Sequence, residues 1–256
     1  MAGVAAPPRL VSSVDVVDRL RALGFAEREA VILAEHFLDA EARGRTGHGL
    51  TRVDWLTTLP DLDPGARPER VLAEEGYERW EGRGALGYLT LAAIVEAQLA
   101  SPPAHARVVV ARQCFPTGVL GYWARRLAAG GLVAALTATS PPRLGHPDGG
   151  PPLTGTNPLA VAVPSSAGDP VVADVSMGRV TWGDVLAGAA APEELVPFGG
   201  EQAHKAFALA VGLQLLVDAL AGDGYGAVLL VARPEADPVP ALRERARGVR
   251  LPGDRA

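Results

Sequence analysis

The chain has 256 residues, of which 48% are hydrophobic and 21% are charged, so it can bury a sizeable apolar core and is globular rather than disordered. Its formal net charge is only -5 and no run of basic residues occurs, which argues against a nucleic-acid partner. One cysteine, Cys114, excludes an internal disulfide and a cysteine-based zinc site, and no secretory leader pattern opens the chain. We therefore expect a cytoplasmic protein.

The first part of the chain predicts two helices followed by a glycine-rich loop. The second helix has an amphipathic face formed by Ala30, Leu33, Ala34, Phe37 and Leu38. His36 falls on the opposite face, so we expect it to be exposed to solvent. Residues 44–49 contain three glycines and predict a loop, and residues 50–59 predict a helix. Residues 60–80 are polar and rich in proline, and we expect them to be irregular.

Helices and strands then alternate, which is typical of an α/β layer. The predicted elements are a helix, a strand, a helix and a strand, at Leu89–Ala100, Arg107–Ala111, Tyr122–Ala129 and Leu132–Thr137. Two more strands flank a turn and predict a β-hairpin, at Leu159–Val163 and Val171–Val175. A buried helix over residues 206–220, a strand over Ala227–Ala232 and a short helix follow. The 206–220 stretch is apolar but too short to span a bilayer, so we expect no membrane partner.

One glycine-rich segment, residues 82–87, matches a known cofactor-binding pattern. Residues 82–87 match the G-x-G-x-x-G pattern of dinucleotide-binding folds, which needs a buried strand before the glycines and a helix after them. Residues 74–80 do not have the pattern of a buried strand, so we expect the match to be accidental. No P-loop, H-E-x-x-H or G-x-S-x-G pattern occurs, and the five histidines stand apart in sequence. These absences argue against a phosphate loop, a hydrolase site and a metal site.

His48 is the first single residue to consider as a catalyst. It lies between two glycines, and Arg52 follows it after about one helical turn. This spacing places an imidazole, which can donate a proton, near a guanidinium that can bind a carboxylate through two hydrogen bonds. Taken alone, such a histidine is more often an exposed loop residue than a catalyst.

Lys205 is the second single residue to consider, as a binding residue. It is the only lysine among the 24 lysine and arginine residues, and it immediately precedes the most apolar helix. A compact ammonium at that point suggests an anion as its partner. The alternative is a lysine left at a helix entry by chance.

Six segments carry further information because they occur in a fixed order along most of the chain. They comprise a glycine-rich histidine loop, a Gly-Tyr helix start, a Gly-Thr-Asn-Pro signature, a strand with an aspartate, a His-Lys motif and a closing Pro-Gly, at residues 42–52, 121–126, 155–160, 172–176, 199–205 and 249–254. Together they resemble the malate/L-lactate dehydrogenase superfamily, which also contains ketimine reductases, ureidoglycolate dehydrogenases and diketogulonate reductases.

The resemblance implies an α/β fold of the malate/L-lactate dehydrogenase type, which binds NAD(P) without a Rossmann unit and has a mixed sheet with flanking helices. It divides the chain into three parts. Residues 1–80 form the N-terminal helical part of a substrate and dimerisation domain, residues 81–200 a reduced cofactor-binding α/β region, and residues 201–256 a helix and strand that return to the first domain. Since the family usually forms homodimers, a homodimer is implied.

The resemblance also implies roles for individual residues. His48 becomes the proton donor of a reductase that uses NADPH or NADH and acts on a small 2-oxo acid or a cyclic 2-imino acid. The residues implied at the substrate, a small carboxylate, are Arg52, Thr156 and Lys205. The residues implied at the cofactor are Asn157, Pro158, Asp174, His204 and Lys205.

The chain departs from the family pattern at positions near the expected site. Gly47 stands where a serine is usual, and Phe115 is the first residue of a pair, Phe-Pro, where Asn-His is common. Segments that normally lie between residues 180 and 197 and between residues 220 and 225 are nearly absent. The first of these falls where the family closes over the nicotinamide. Two alternatives therefore stay open, namely a cofactor-independent tautomerase, cyclase or lyase that uses His48, and a non-catalytic binding protein.

Overall fold

The computed structural model describes residues 12–254, so the expectation that no leader opens the chain concerns residues outside it. Within this range the chain forms eight α-helices: α1 (Ser13–Ala22), α2 (Glu27–Ala42), α3 (Thr51–Leu56), α4 (Gly87–Ala100), α5 (Leu120–Ala129), α6 (Trp182–Leu186), α7 (Ala203–Ala221) and α8 (Val239–Arg245). The same range contains seven strands: β1 (Glu69–Ala73), β2 (Tyr77–Glu81), β3 (Ala106–Arg112), β4 (Val133–Ala138), β5 (Leu159–Val163), β6 (Val171–Val175) and β7 (Gly226–Ala232).

The strands of the described range form one mixed sheet in the order β1-β2-β3-β7-β4-β5-β6. β2 and β3 are parallel, with α4 as the connection between them, and all other neighbours in this order are antiparallel. β7 follows most of the chain in sequence but lies between β3 and β4. Strands from all three predicted parts of the chain thus share one sheet. A mixed sheet with flanking helices confirms the predicted fold class.

Side chains that alternate along β3 divide the helices between the two faces of the sheet. Val109 and Ala111 belong to the main core together with residues of α1, α2, α4 and α5. Val108 and Val110 point to the other face, where they pack with Val217 of α7. The larger core therefore lies under the helices of the first half of the chain, and α7 covers only part of the opposite face.

The predicted hairpin is confirmed, because β5 and β6 pair antiparallel in continuous register. The helix predicted over residues 50–59 is shorter and ends at Leu56. The prediction of irregular structure over residues 60–80 is wrong, since β1 and β2 form an antiparallel pair there. The strand pattern was hidden because the residue that points inward next to Trp80 is a carboxylate, Glu78.

Glu78 is only 2% exposed and is surrounded by hydrogen-bond donors. Its carboxylate accepts from Trp80 Nε1 at 3.1 Å and from Gln98 Nε2 at 2.9 Å. Arg107 Nη1 lies 3.2 Å from it and also donates to Gln98 Oε1 at 2.6 Å. A buried ion pair is tolerated only when its partners satisfy each other in this way. The network ties β2 and β3 to the helix that connects them.

The prediction that His36 is exposed is wrong, because its side chain is completely buried. Its Nε2 accepts the backbone N–H of Val119 at 3.1 Å, and its ring stacks on Trp123 with the ring centroids 5.1 Å apart. Burial, with a smaller contribution from His48, keeps the pKa of His36 well below its ordinary value. The face that periodicity marked as solvent-facing is covered by the start of α5, so the ring is neutral and structural.

The prediction of a buried helix over residues 206–220 is also wrong. α7 packs along one side only, and several of its large apolar side chains are exposed, namely Leu209, Leu215, Leu216 and Leu220. With the 3-10 turn before it, the helix runs over Gly200–Ala221, and by length and composition it is long and apolar enough to cross a membrane. The predicted stretch was therefore too short, because the helix begins before its most apolar residues.

The glycines of residues 82–87 do follow a strand, β2, and precede a helix, α4, so the prediction that no strand precedes them is wrong. Their surroundings nevertheless leave no room for a side chain at the first and last of these glycines. A Cβ at Gly82 would lie 2.1 Å from the backbone oxygen of Gln113, and a Cβ at Gly87 would lie 2.7 Å from that of Pro116. The glycines accommodate the protein's own backbone at the position where a Rossmann fold receives pyrophosphate.

Candidate active-site cavity

A cavity of about 500 Å³ opens where several loops meet. Its walls come from the histidine loop and α3, the segment before α5, the loop after β4, the segment before β5, the end of β6, and α6. Loops that converge on a rigid sheet are the usual setting for binding residues. The predicted residues that line this cavity are His48, Arg52, Thr156, Pro158 and Asp174.

His48 is held by a short 3-10 turn, Thr46–His48, whose closing bond runs from the His48 N–H to the carbonyl of Arg45 at 2.8 Å. The Nδ1 atom is buried and has no hydrogen-bond partner within residues 12–254. Burial of the ring, followed by the charge of Arg52, lowers the pKa of His48 to about 4, although Asp184 acts to raise it. The imidazole is therefore neutral at pH 7 in the protein without ligand.

Arg52 lies beside the histidine, as predicted, and is nearly buried. Its Nε donates to the carbonyl of Gly47 at 2.8 Å, and its guanidinium lies 4.9 Å from the ring centre of Trp55. No carboxylate of residues 12–254 forms an ion pair with it. Since a buried cation without a partner is costly, the arrangement favours an anion in the cavity.

Asp184 is a cavity residue that the sequence did not reveal. It stands third in α6 and forms a capping box with Thr181, whose N–H and hydroxyl both donate to its carboxylate at 2.8 Å. The sequence Thr-Trp-Gly-Asp indicates such a cap, but it does not indicate which part of the fold the helix faces. In the structure it faces the histidine loop, where its charge counteracts the effect of Arg52 on His48.

Two glycines allow α6 to approach the histidine loop closely. A Cβ at Gly183 would lie 2.4 Å from the carbonyl oxygen of Gly47, and a Cβ at Gly47 would lie 2.7 Å from the backbone nitrogen of Asp184. The glycine at position 47, where the resemblance implies a serine, is thus explained by a contact within this chain. α6 packs directly onto the loop, and a side chain at position 47 would separate the two.

Gly183→Ala should force α6 away from the loop, because the new methyl group meets backbone rather than a flexible side chain. We expect a loss of about 1–3 kcal/mol in the free energy of unfolding, the usual cost of overpacking. Urea unfolding measures it. Gly212→Ala is the control, since a Cβ there meets nothing within 4 Å in the exposed part of α7. Equal stability of the two variants would show that the close contact is not required.

Asp174 lines the cavity and accepts the backbone N–H of Gly121 at 2.8 Å, in the first turn of α5. Burial raises the pKa of Asp174, while the hydrogen bond from Gly121 acts in the opposite direction. Together with His36, which accepts the N–H of Val119, it occupies two of the donors at this helix start.

Asn157 does not line the cavity but is fully buried behind it. Its Nδ2 donates to the carbonyl of Ala210 at 3.1 Å and to Gln214 Oε1 at 2.9 Å, and its φ of 28° lies in the left-handed region, which asparagine tolerates. These bonds tie the loop before β5 to α7. A role toward a cofactor stays a prediction for this residue.

His204 and Lys205 are exposed at the start of α7 and do not line the cavity that contains His48. His204 borders a separate open groove together with His146 and Glu201. The proposed roles of both residues toward substrate or cofactor stay predictions. No group of three or more metal-ligating side chains occurs among the described residues.

The fold and the cavity together define an α/β protein equipped to bind a small anion beside a titratable imidazole. The chain belongs to the malate/L-lactate dehydrogenase family, because the family model of that description matches residues 14–195. This confirms the resemblance inferred from the six segments.

Individual relatives agree with this assignment. A (2R)-3-sulfolactate dehydrogenase (NADP(+)) from Chromohalobacter salexigens is 30% identical, over 82% of this chain and 70% of the relative. A Delta(1)-pyrroline-2-carboxylate/Delta(1)-piperideine-2-carboxylate reductase from Pseudomonas putida is 28% identical, over 79% of this chain and 67% of the relative. Both names describe oxidoreductases, which is the predicted class of enzyme.

Solved structures share the fold. A malate dehydrogenase from Entamoeba histolytica superposes with a TM-score of 0.81 at 18% identity, over 96% of this chain and 87% of that one. The delta1-piperideine-2-carboxylate reductase from Pseudomonas syringae superposes with a TM-score of 0.80 at 24% identity, over 95% and 91%. At these identities the likeness shows the fold alone.

Proposed function

We propose that the protein is a reductase that uses NADPH or NADH to reduce a small 2-oxo acid or a cyclic 2-imino acid, with His48 as the proton donor. The observation that carries the proposal is one cavity wall on which His48 lies beside Arg52, a nearly buried guanidinium without a carboxylate partner in the described range. The family and the names of the two relatives support the reaction class, and the name of the first relative, which includes NADP(+), supports the cofactor.

The cavity fits the nicotinamide end of such a cofactor. Its lining includes the apolar residues Leu120, Ala138 and Pro158, which suit a flat ring, and Ser140 and Thr156 line the same space. When bound, the cofactor supplies the hydride. The residues of this chain bind the substrate carboxylate, exclude water and deliver the proton.

Binding of the substrate prepares His48 for proton transfer. The cation of Arg52 is one cause of the low pKa of His48, so a carboxylate placed on Arg52 offsets that charge and raises the pKa. The imidazole then takes up a proton in the complex and donates it to the oxygen or nitrogen that becomes negative as the substrate carbon is reduced. Asp184 acts in the same direction, because its charge stabilises the imidazolium.

Titration of the protein with NADH and with NADPH, followed by the fluorescence of the reduced nicotinamide, tests the proposal directly. Binding of one of them, followed by its oxidation when a 2-oxo acid or a cyclic 2-imino acid is added, is the expected result. Absence of binding to either would reject the reductase. In that case the cofactor-independent enzyme with His48 as acid or base becomes the hypothesis to pursue.

Arg52→Lys should weaken substrate binding while preserving the charge. A lysine loses the planar two-point contact with a carboxylate and the packing against Trp55, so we expect a loss of about 1.5–3 kcal/mol in apparent substrate affinity. Steady-state kinetics measure the change in KM. Arg126→Lys, on α5 outside the cavity lining, is the control. Unchanged kinetics in Arg52→Lys would remove this residue from the substrate site.

We also propose a cytoplasmic homodimer that associates through α7. The exposed leucines of that helix support this proposal, since apolar side chains grouped on one surface favour a protein interface. Sedimentation of the protein and of a Leu216→Glu variant tests it. A monomeric wild-type protein at micromolar concentration would reject the dimer.

A further inference from the structure

Arg143 is a second cation of the cavity that the proposed chemistry does not use. It lies in the loop between β4 and β5, where Leu144 and Thr154 form an isolated bridge that fixes the loop next to it. Its guanidinium lies 4.2 Å from the ring centre of Trp182, the first residue of α6, and both side chains line the cavity. Stacking on an indole holds a guanidinium in a defined plane and leaves its edge free to donate hydrogen bonds.

The cavity contains no internal partner for this cation. Within residues 12–254 Arg143 forms no side-chain hydrogen bond to an acid and no ion pair. The two carboxylates of the cavity wall are engaged elsewhere, Asp174 by the N–H of Gly121 and Asp184 by Thr181. Arg143 and Arg52 also lie near enough to repel each other, and this repulsion adds to burial in lowering the pKa of Arg143.

Two guanidinium groups, each against a tryptophan, thus face one small cavity next to the imidazole. We propose that Arg143 forms a second anion subsite, and that the substrate carries a second acidic group besides the carboxylate bound by Arg52. This inference rests on the proposed reductase and names its substrate class. The second group is a carboxylate or a sulfonate, since both present several oxygen acceptors to a planar guanidinium.

The subsite distinguishes between the two substrate classes of the proposed function. A cyclic 2-imino acid with a single carboxylate would satisfy Arg52 and leave Arg143 without an anionic partner. An open-chain 2-oxo acid with a second acidic group neutralises both cations. The inference therefore favours the open-chain class, in which the carbonyl carbon gains a hydride, the carbonyl oxygen gains the proton from His48, and a 2-hydroxy acid results.

The decisive experiment compares acids that differ only in the second charge. Oxaloacetate and 3-sulfopyruvate carry it, whereas 2-oxosuccinamate has the shape of oxaloacetate with an uncharged amide. We expect kcat/KM to be about 10- to 100-fold higher for a charged acid than for the amide, as for a hydrogen bond between charged groups. Calorimetric affinities, with the oxidised cofactor present, give the same comparison without turnover.

Arg143→Gln should remove this preference, because kcat/KM for the charged acids falls about 10- to 100-fold toward the value for the amide. Arg179→Gln is the matched control, because Arg179 is exposed and pairs with Glu194 outside the cavity lining. Trp182→Phe should retain part of the preference, since a smaller ring still supports the guanidinium.

Four outcomes would overturn the inference. Equal use or equal binding of charged acid and amide by the wild-type protein rejects the second subsite, and the reductase itself stands if either is consumed. An Arg143→Gln variant that changes only the KM for NADPH or NADH assigns the arginine to a cofactor phosphate. The open-chain class is rejected if a cyclic 2-imino acid is turned over faster than every diacid and Arg143→Gln leaves that rate unchanged. Failure to consume or bind any of these compounds rejects the proposed function as well.

Discussion

His48→Ala is expected to reduce turnover by about 100- to 10,000-fold, the usual contribution of a positioned acid or base. The imidazole lines the cavity beside Arg52, and no other histidine of residues 12–254 does so. The same variant should fold normally, because the side chain forms no hydrogen bond within the described range. Steady-state rates with the preferred cofactor and substrate, together with thermal unfolding, provide the measurement.

His105→Ala is the control for this variant, because His105 is exposed at the entry of β3 and should change stability by no more than about 0.5 kcal/mol. Near-normal turnover in His48→Ala would reject both enzymatic mechanisms that use His48 as acid or base. Loss of turnover accompanied by an equal loss of stability would indicate a structural role.

The pH dependence of the rate tests how the donor is charged. Without ligand the pKa of His48 is about 4, well below the ordinary value near 6.5. With an ordinary pKa, the rate of reduction would begin to fall near pH 6.5. For reduction, kcat/KM should therefore fall as the pH rises above about 4, since it reports the free enzyme. The fall of kcat should occur at higher pH, because the bound carboxylate offsets the charge of Arg52 and raises the pKa of His48 in the complex. The same pH dependence for kcat/KM and kcat would contradict proton uptake on binding.

Glu78→Gln is expected to lower the free energy of unfolding by about 3 kcal/mol, the lower end of the cost of breaking a buried ion pair. The change leaves the guanidinium of Arg107, only 8% exposed, without its carboxylate. The loss stays at the lower end because Arg107 retains the oxygens of Gln98, Glu75 and Ser101 as acceptors. Urea unfolding followed by circular dichroism measures the change.

Glu69→Gln on the neighbouring strand is the control, because it removes an ion pair that is exposed to solvent. Glu69 and Arg83 are each 58% exposed, so this variant should change stability by less than about 1 kcal/mol. If the two variants lose the same stability, the network around Glu78 does not act as a buried one.

The sequence allowed several of these features to be predicted because they depend on local patterns. The β5–β6 hairpin follows from alternation around a turn, and the spacing of His48 and Arg52 on one loop and helix places both side chains on the same wall. Prediction failed where a partner distant in sequence decides the outcome. Glu78 lies in a strand because Arg107 and Gln98 satisfy it, which no window around residue 78 shows.

The part of the site contributed by α6 could not be predicted for the same reason. Thr181 and Asp184 indicate a helix start, but only the contact of Gly183 with Gly47 brings that helix to the histidine. Lys205 is unusual by composition and lies away from the cavity wall, so its role toward substrate or cofactor stays a prediction.

The central position of β7 has a consequence for how the chain acquires its structure. Until residues 226–232 are available to form β7, β3 and β4 each have one edge without a paired strand. The sheet then consists of two three-stranded halves, β1-β2-β3 and β4-β5-β6, with open edges. Open strand edges are templates for pairing with other chains. During synthesis, the ribosome must therefore release most of the chain before the two halves can join. A nascent chain stalled before residue 226 should aggregate, whereas one that extends past residue 232 outside the exit tunnel should become resistant to protease.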